Sequence, residues 1–227
     1  MAETDISPAI SGQEILTTLK NASVNGFIID VKTAEEIHKN AHLTGTCTTD
    51  FIRDELCELL CGKNVLNILL DYSGVITHII PQLKPCVGFE QNNRYHKYNV
   101  YDHIAHAVAS YEGTDIAVRT ALLLHDAGKP HCYSEDEKGG HFYGHASRSR
   151  DIAEKVLTEL NFEGQLRDEI LQLILYHDTQ IEQNEKSIRR WLNKIGEKQL
   201  FRLMDIKEAD ISAQADGIKS QRLERCG

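Results

Sequence analysis

The sequence is short of the features that mark several protein classes. No apolar run approaches the ~18 residues that span a bilayer, and no basic n-region followed by an apolar h-region opens it, so neither a membrane span nor a secretory leader is expected. The protein is read as cytoplasmic, with no membrane partner. Cys-x-x-Cys does not occur among the six cysteines (47, 57, 61, 86, 132 and 226), which removes the zinc-ribbon pattern and leaves free thiols as the expectation. Period-two alternation over four or more residues is nearly absent, so the core is not expected to be built from sheet. Positive charge is also short: 25 Lys and Arg against 34 Asp and Glu give a net charge of -9, which argues against a protein that coats nucleic acid nonspecifically. The deficit is uneven. From residue 186 onward ten Lys and Arg stand against six Asp and Glu, a modestly basic segment that either forms a solvated helix face or meets phosphates.

What is present is helical periodicity. At 227 residues and 41% hydrophobic composition, the chain suits one generous soluble domain or two small ones. Ile15, Leu16, Leu19 and Val24 share one helix face that closes at Asn25-Gly26. Thr33 with Glu36 reads as a capping box for a helix reaching about His42, Thr49 or Asp50 caps another from Phe51 to Leu60, and a fourth runs from about Asn64 to Asp71. Residues 73–98 carry Pro81, Pro85, Gly74 and Gly88 with little periodicity and are expected to form an irregular crossing segment. Helices resume at about 100–111, 115–127, 145–160, 165–177, 185–194 and 197–213. A polar loop over 129–144, with Gly139-Gly140, is expected to rim a site. The fold class predicted is all-α, a multi-helix bundle preceded by a small helical subdomain.

Within that pattern, histidine and aspartate fall at helix ends. Imidazole and carboxylate are the ligands that hard-to-borderline divalent ions take. His103 and His106 share a helix face, and His125-Asp126 ends the next helix, closed by Gly128 and Pro130. His141 and His145 flank Phe142-Tyr-Gly144, His177-Asp178 ends a later helix, and Asp210 lies on the stripe of Leu203, Ile206 and Ala209. A bundle that gathers these ends into one cavity places His103, His125, Asp126 and Asp210 around one ion. With Asp126 bridging, His145 and His177 hold a second, and two ions roughly 3.5 to 4 Å apart suit phosphate ester hydrolysis. Lys129 is placed either to meet phosphate or simply to favour the helix C-terminus. His106 reads as a general acid or a residue behind the ligands, and His131 and His141 as rim residues. His38, His42 and His78 lack partners at useful spacing and are expected to be ordinary structural histidines.

His103, His125-Asp126 and Asp210, with Leu124-His-Asp-Ala-Gly-Lys-Pro130, resemble the signature of the HD phosphohydrolase superfamily. Gly88-Phe-Glu-Gln91, Tyr95-His96, Val100, Phe142-Tyr-Gly-His145, Arg189-Arg-Trp-Leu-Asn193 and Lys207-Glu-Ala-Asp210 extend the likeness to the HD-bearing part of bacterial CCA-adding tRNA nucleotidyltransferases of the poly(A) polymerase type. Residues 13–62 are similar to the neck of those enzymes. The resemblance implies an all-α fold and a metal-dependent phosphohydrolase. Asp126 and Lys129 would be its catalytic residues, and His103, His125, Asp126, Asp210, His145 and His177 its metal ligands. Lys129, His106 and His141 would contact a phosphorylated small molecule, a nucleotide or an RNA end. One or two divalent ions (Mn, Fe, Ni, Mg or Zn) are the implied cofactor, and tRNA is a candidate partner. The division implied is a neck-like region at 1–72, a connector at 73–98 and an HD domain with C-terminal helices at 99–227. The Gly-Ser loop and paired-Asp motif of nucleotidyl transfer do not occur, and Glu14-Ile-Leu-Thr-Thr-Leu-Lys-Asn21 stands where nucleotide-reading arginines are expected, so CCA addition by this chain alone is not predicted. The alternative reading is a non-catalytic tRNA-associated module with a vestigial HD site.

Overall fold

The computed structural model describes residues 10–92, 97–137 and 139–214. Expectations for Tyr95, His96 and Cys226 therefore lie outside the described residues. Those residues contain eleven α-helices and one two-stranded ribbon, so the chain is all-α as its periodicity implies.

α1 (Gly12–Asn25) starts on a capping box in which Ser11 and Glu14 exchange side-chain and backbone hydrogen bonds, and it ends on Gly26 in the left-handed region. Its buried face, Ile15, Leu16, Leu19 and Ala22, packs on α3 (Thr49–Leu60). α2 (Val31–Asn40) is capped one turn earlier than Thr33 predicts. Asp30 is the N-cap, accepting from the Thr33 N–H and hydroxyl, because an Asp three residues before a Thr caps as well as a Thr three before a Glu. α3 is likewise capped by Thr48, which accepts from the Phe51 N–H. α4 (Val65–Asp71) follows as expected.

The connector at 73–98 is the main correction. It opens with α5 (Ser73–Ile79) and continues in a 3-10 turn over Pro81–Cys86, with Val75, Ile76, Ile79 and Leu83 buried. Helical spacing is present there, but Gly74 and the prolines obscure it; Pro81 occupies the first turn of its helix, where a missing N–H costs nothing.

The second half wraps around α7 (Ile116–Leu124). Every residue from Ala117 to Leu124 is buried, against α6 (Val100–Ser110), α9 (Gly164–Tyr176) and α11 (Glu197–Ser212), with α3 and α8 (His145–Glu159) also in contact. Burying a leucine such as Leu122 stabilises by about 1.5–3 kcal/mol, and a charge there would leave the central helix without its packing. α10 (Glu185–Ile195) lies outermost, inserting Trp191 and exposing Arg189 and Arg190. The polar loop contains β1 (Ser134–Asp136) and β2 (Gly139–His141), an antiparallel ribbon not expected from the sequence, since three exposed polar residues paired with Gly139-Gly140-His141 leave no alternation to detect. Cys47, Cys57, Cys61, Cys86 and Cys132 are free thiols. No helix among the described residues is long and apolar enough to cross a membrane.

Candidate metal centre

α7 ends at Leu124, which puts His125 at its C-cap and Asp126 in the turn that follows. The turn lies against the start of α8: the Gly128 N–H donates to Ser149 Oγ at 2.8 Å, and a Cβ on Gly128 would sit 2.6 Å from both the His145 carbonyl oxygen and the Ser149 nitrogen. Only glycine allows this approach. It carries His145 to the carboxylate, while α6 supplies His103, the end of α9 supplies His177 and α11 supplies Asp210.

The two Asp126 oxygens face different ways. Oδ2 lies 3.3 Å from His103 Nε2 and 3.2 Å from His125 Nε2; Oδ1 lies 3.4 Å from His145 Nε2 and 3.7 Å from His177 Nε2. Asp210 Oδ1 closes the first group, 2.9 Å from His103 Nε2 and 3.8 Å from His125 Nε2. In each of the two triads, His103, His125 and Asp126, and Asp126, His145 and His177, the ligand atoms lie within 4.8 Å of one another. All five residues are buried, whereas the Asp210 side chain is 20% exposed and marks the open side.

Three of the imidazoles are oriented in the same way. Nδ1 of His125, His145 and His177 meets the main-chain oxygen three residues earlier, Leu122 at 2.7 Å, Phe142 at 2.9 Å and Ile174 at 2.7 Å. A carbonyl only accepts, so Nδ1 carries the proton and, in the neutral ring, Nε2 presents a lone pair to the cavity. His145 Nε2 and His177 Nε2 then oppose each other at 3.1 Å, lone pair against lone pair. Neither His125 Nε2 nor Asp126 Oδ1 has a well-formed hydrogen bond among the described residues. Such a set is complete only with cations between its members, and the donor types fit a divalent ion.

The charge balance agrees. Burial opposes ionisation of Asp126, yet the His125 imidazole and the Lys129 ammonium hold its carboxyl well below the usual carboxylate range. Asp210 is likewise held well below it, against burial, by the neighbouring His103 and His125 imidazoles. Burial works against a charged His125, but Asp126 outweighs it and pushes that imidazole up to about 10. For His145 burial prevails over the attraction of Asp126, and its pKa is lowered. The cavity draws positive charge toward Asp126.

Of the remaining predicted residues, Lys129 reaches this centre. Lys129 is buried, its Nζ 2.7 Å from Asp126 Oδ2 and donating to Gln91 Oε1 at 2.8 Å. His106 stacks on Tyr98 at 4.0 Å, outside both triads, with its pKa lowered by burial and by Lys97. His141 sits on β2, 2.9 Å from Asp136 Oδ1 across the ribbon and stacked on Tyr143. His131 is exposed at the end of a 3-10 turn, and His38 stacks on Tyr72. Two residues given no role from the sequence also reach the centre. Gln91 holds Lys129, and the Lys207 ammonium donates to the His177 carbonyl at 2.5 Å, tying the end of α9 to α11. With separations of 38 and 30 residues, neither contact leaves a local signal.

The fold and site define an all-α bundle with a buried His/Asp cluster able to hold a divalent metal. Residues 94–218 match the HD domain family, more than half of the chain, and the chain belongs to that family. Residues 26–87 match a second family, described as "Probable RNA and SrmB- binding site of polymerase A". The chain is 28% identical over 182 residues to an A-adding tRNA nucleotidyltransferase of Deinococcus radiodurans, covering 77% of this chain and 41% of that protein. It is 25% identical over 189 residues to a CC-adding tRNA nucleotidyltransferase of Thermus thermophilus, covering 78% and 43%. The chain thus spans less than half the length of these relatives, consistent with a neck and HD portion.

Proposed function

We propose that this chain is a divalent-metal-dependent phosphohydrolase acting on a phosphate mono- or diester of a nucleotide or an RNA end. The observation that carries this reading is Asp126, one buried carboxylate shared between two imidazole pairs and flanked by an ammonium group. His103, His125, Asp126 and Asp210 hold one ion in this reading, and Asp126, His145 and His177 a second, drawn from Mn, Fe, Ni, Mg or Zn. Bound ions supply Lewis-acid stabilisation of a phosphoryl group and activate water near neutral pH. The chain's own residues do the rest. The three Nδ1–H bonds fix the lone pairs before any ion arrives, Lys129 places positive charge where phosphoryl oxygens gather it, and burial keeps bulk water from weakening these attractions. His141 on the ribbon and His106 beside Tyr98 flank the substrate. We assign this chemistry to 99–227 and RNA contact to the neck-like region within 1–72. The test is hydrolysis of bis-p-nitrophenyl phosphate, cyclic nucleotides and nucleoside monophosphates by Mn-loaded protein, expected to vanish on chelation and in Asp126→Ala. No turnover of any of these, together with unchanged metal binding by Asp126→Ala, would sink the reading.

A second reading, a tRNA-associated module with a vestigial HD site, draws support from the match over 26–87 and from the activities for which the relatives are named. It predicts a salt-dependent tRNA mobility shift that is lost when the exposed Arg189 and Arg190 are replaced. Binding equal at all salt concentrations would exclude it.

A further inference from the structure

We propose that Gln91 is the positioning residue for Lys129, and that through it the β-ribbon sets how the Lys129 ammonium is presented beside Asp126. The inference rests on the phosphohydrolase reading for its consequence, and on geometry alone for the tie itself. A buried ammonium needs acceptors, and among the described residues two of different kinds face Lys129. Asp126 Oδ2, at 2.7 Å, is also an oxygen of the candidate metal centre; Gln91 Oε1, at 2.8 Å, is neutral and belongs to no ligand group. The Gln91 carbonyl therefore keeps Lys129 in place when Asp126 turns its charge to ions, and the proton that faced Asp126 turns to a phosphoryl oxygen.

Gln91 is itself held at both ends. It is 1% exposed, and its Nε2 donates to the Tyr98 carbonyl at 3.1 Å, which fixes the amide so that Oε1 points at the lysine. Behind it, the Gly140 N–H donates to the Asn92 carbonyl, and a Cβ on Gly140 would lie 2.4 Å from the Gln91 main-chain oxygen. The ribbon can approach this closely only because residue 140 is glycine. Phe142, the residue after β2, places its ring 5.4 Å from the same ammonium.

The experiment uses the full chain with Gln91→Ala, Gln91→Glu, Lys129→Ala and the double variant Gln91→Ala/Lys129→Ala. Inorganic phosphate is titrated into Mn-loaded protein by calorimetry, and Mn affinity is measured separately. Acetylation of Lys129 by an N-hydroxysuccinimide ester is followed by mass spectrometry on the metal-free protein. In Gln91→Ala, phosphate affinity is expected to fall roughly tenfold with Mn affinity held within about twofold, and Lys129 to acetylate faster. Gln91→Glu keeps the shape and adds a charge, so it should weaken phosphate binding at least as much. In the Lys129→Ala background, Gln91→Ala should add nothing. Normal phosphate affinity in Gln91→Glu, or independent losses in the double variant, would reduce Gln91 to packing and overturn the proposal. Unchanged Lys129 acetylation in Gln91→Ala would overturn it as well. Wild-type protein that binds Mn but not phosphate would remove the phosphohydrolase reading instead, while faster acetylation in Gln91→Ala would still support the tie.

Discussion

Arg202 braces three of the helices that deliver ligands to the centre, and its replacement by methionine should show how much of the site depends on that brace. The guanidinium, on α11, reaches Asp115 at the N-cap of α7 with Nε at 2.7 Å and Nη2 at 3.0 Å, and Glu169 on α9 with Nη1 at 2.5 Å. Methionine keeps most of the volume and removes the charge. Breaking a fully buried pair costs about 3–5 kcal/mol. Here Asp115 is 30% exposed, and Glu169 keeps a hydrogen bond from Gln165, so water and the remaining partner recover part of the loss and about 2–3 kcal/mol is expected. For a chain of this size that corresponds to a melting point lower by about 4–12 °C. Hydrogen bonds from Arg202 hold the Glu169 carboxyl below its ordinary 4.5 against the opposing effect of burial. A depressed acid contributes stability above its unfolded pKa and loses it as the pH falls through the folded value, so the gap between wild type and variant should narrow below about pH 4.5. Calorimetric melts at pH 7 and pH 3.5, with Mn titrations at pH 7, supply the measurements. A melting point within 1 °C of wild type, or a gap that widens in acid, would refute the reasoning.

Four other outcomes follow from the site. Asp126→Asn keeps the shape but removes the charge both triads share, so on the two-ion phosphohydrolase reading bound Mn should fall from two to at most one per chain by elemental analysis, and hydrolysis by about a thousandfold or more. Because Asp126 raises the His125 pKa to about 10, a proton on His125 competes with the ion, and Mn affinity in calorimetric titrations should rise with pH from 6 toward 10. In the metal-free protein the same raised value gives stability that is full below about pH 6.5 and fades as the pH approaches 10, which acid and alkaline melts will show. Gly128→Ala forces the turn away from α8, costing about 1–3 kcal/mol and weakening the ion held by His145 and His177 more than the one held by His103 and Asp210.

Legibility in the sequence divided by range. His125-Asp126 could be read because a buried apolar helix, a glycine and a proline surround it within a dozen residues, and the placement of α6 to α11 followed from 3.6-residue spacing. Local rules failed where two applied at once, as when Asp30 outcompeted Thr33 for the cap of α2, or where punctuation masked periodicity, as in α5 with Gly74 inside it and Pro81 behind it. The β-ribbon was too short to show a pattern. The tie of Gln91 to Lys129 and the brace at Arg202 join segments 38 and 87 residues apart, and no window of sequence contains both ends of either.

The three histidines that bond the carbonyl three residues behind them carry their aim within a single turn of backbone. Each ring is therefore part of the rigid end of its own element, and repacking α9 against α7 would translate His177 relative to His125 without rotating either ring. If two ions are held as proposed, the distance between them is set by helix packing rather than by the ligands alone. Residues that touch neither metal nor substrate, such as Leu122 and Ile170 on those helices, become the natural place for relatives of one ligand set to diverge in chemistry.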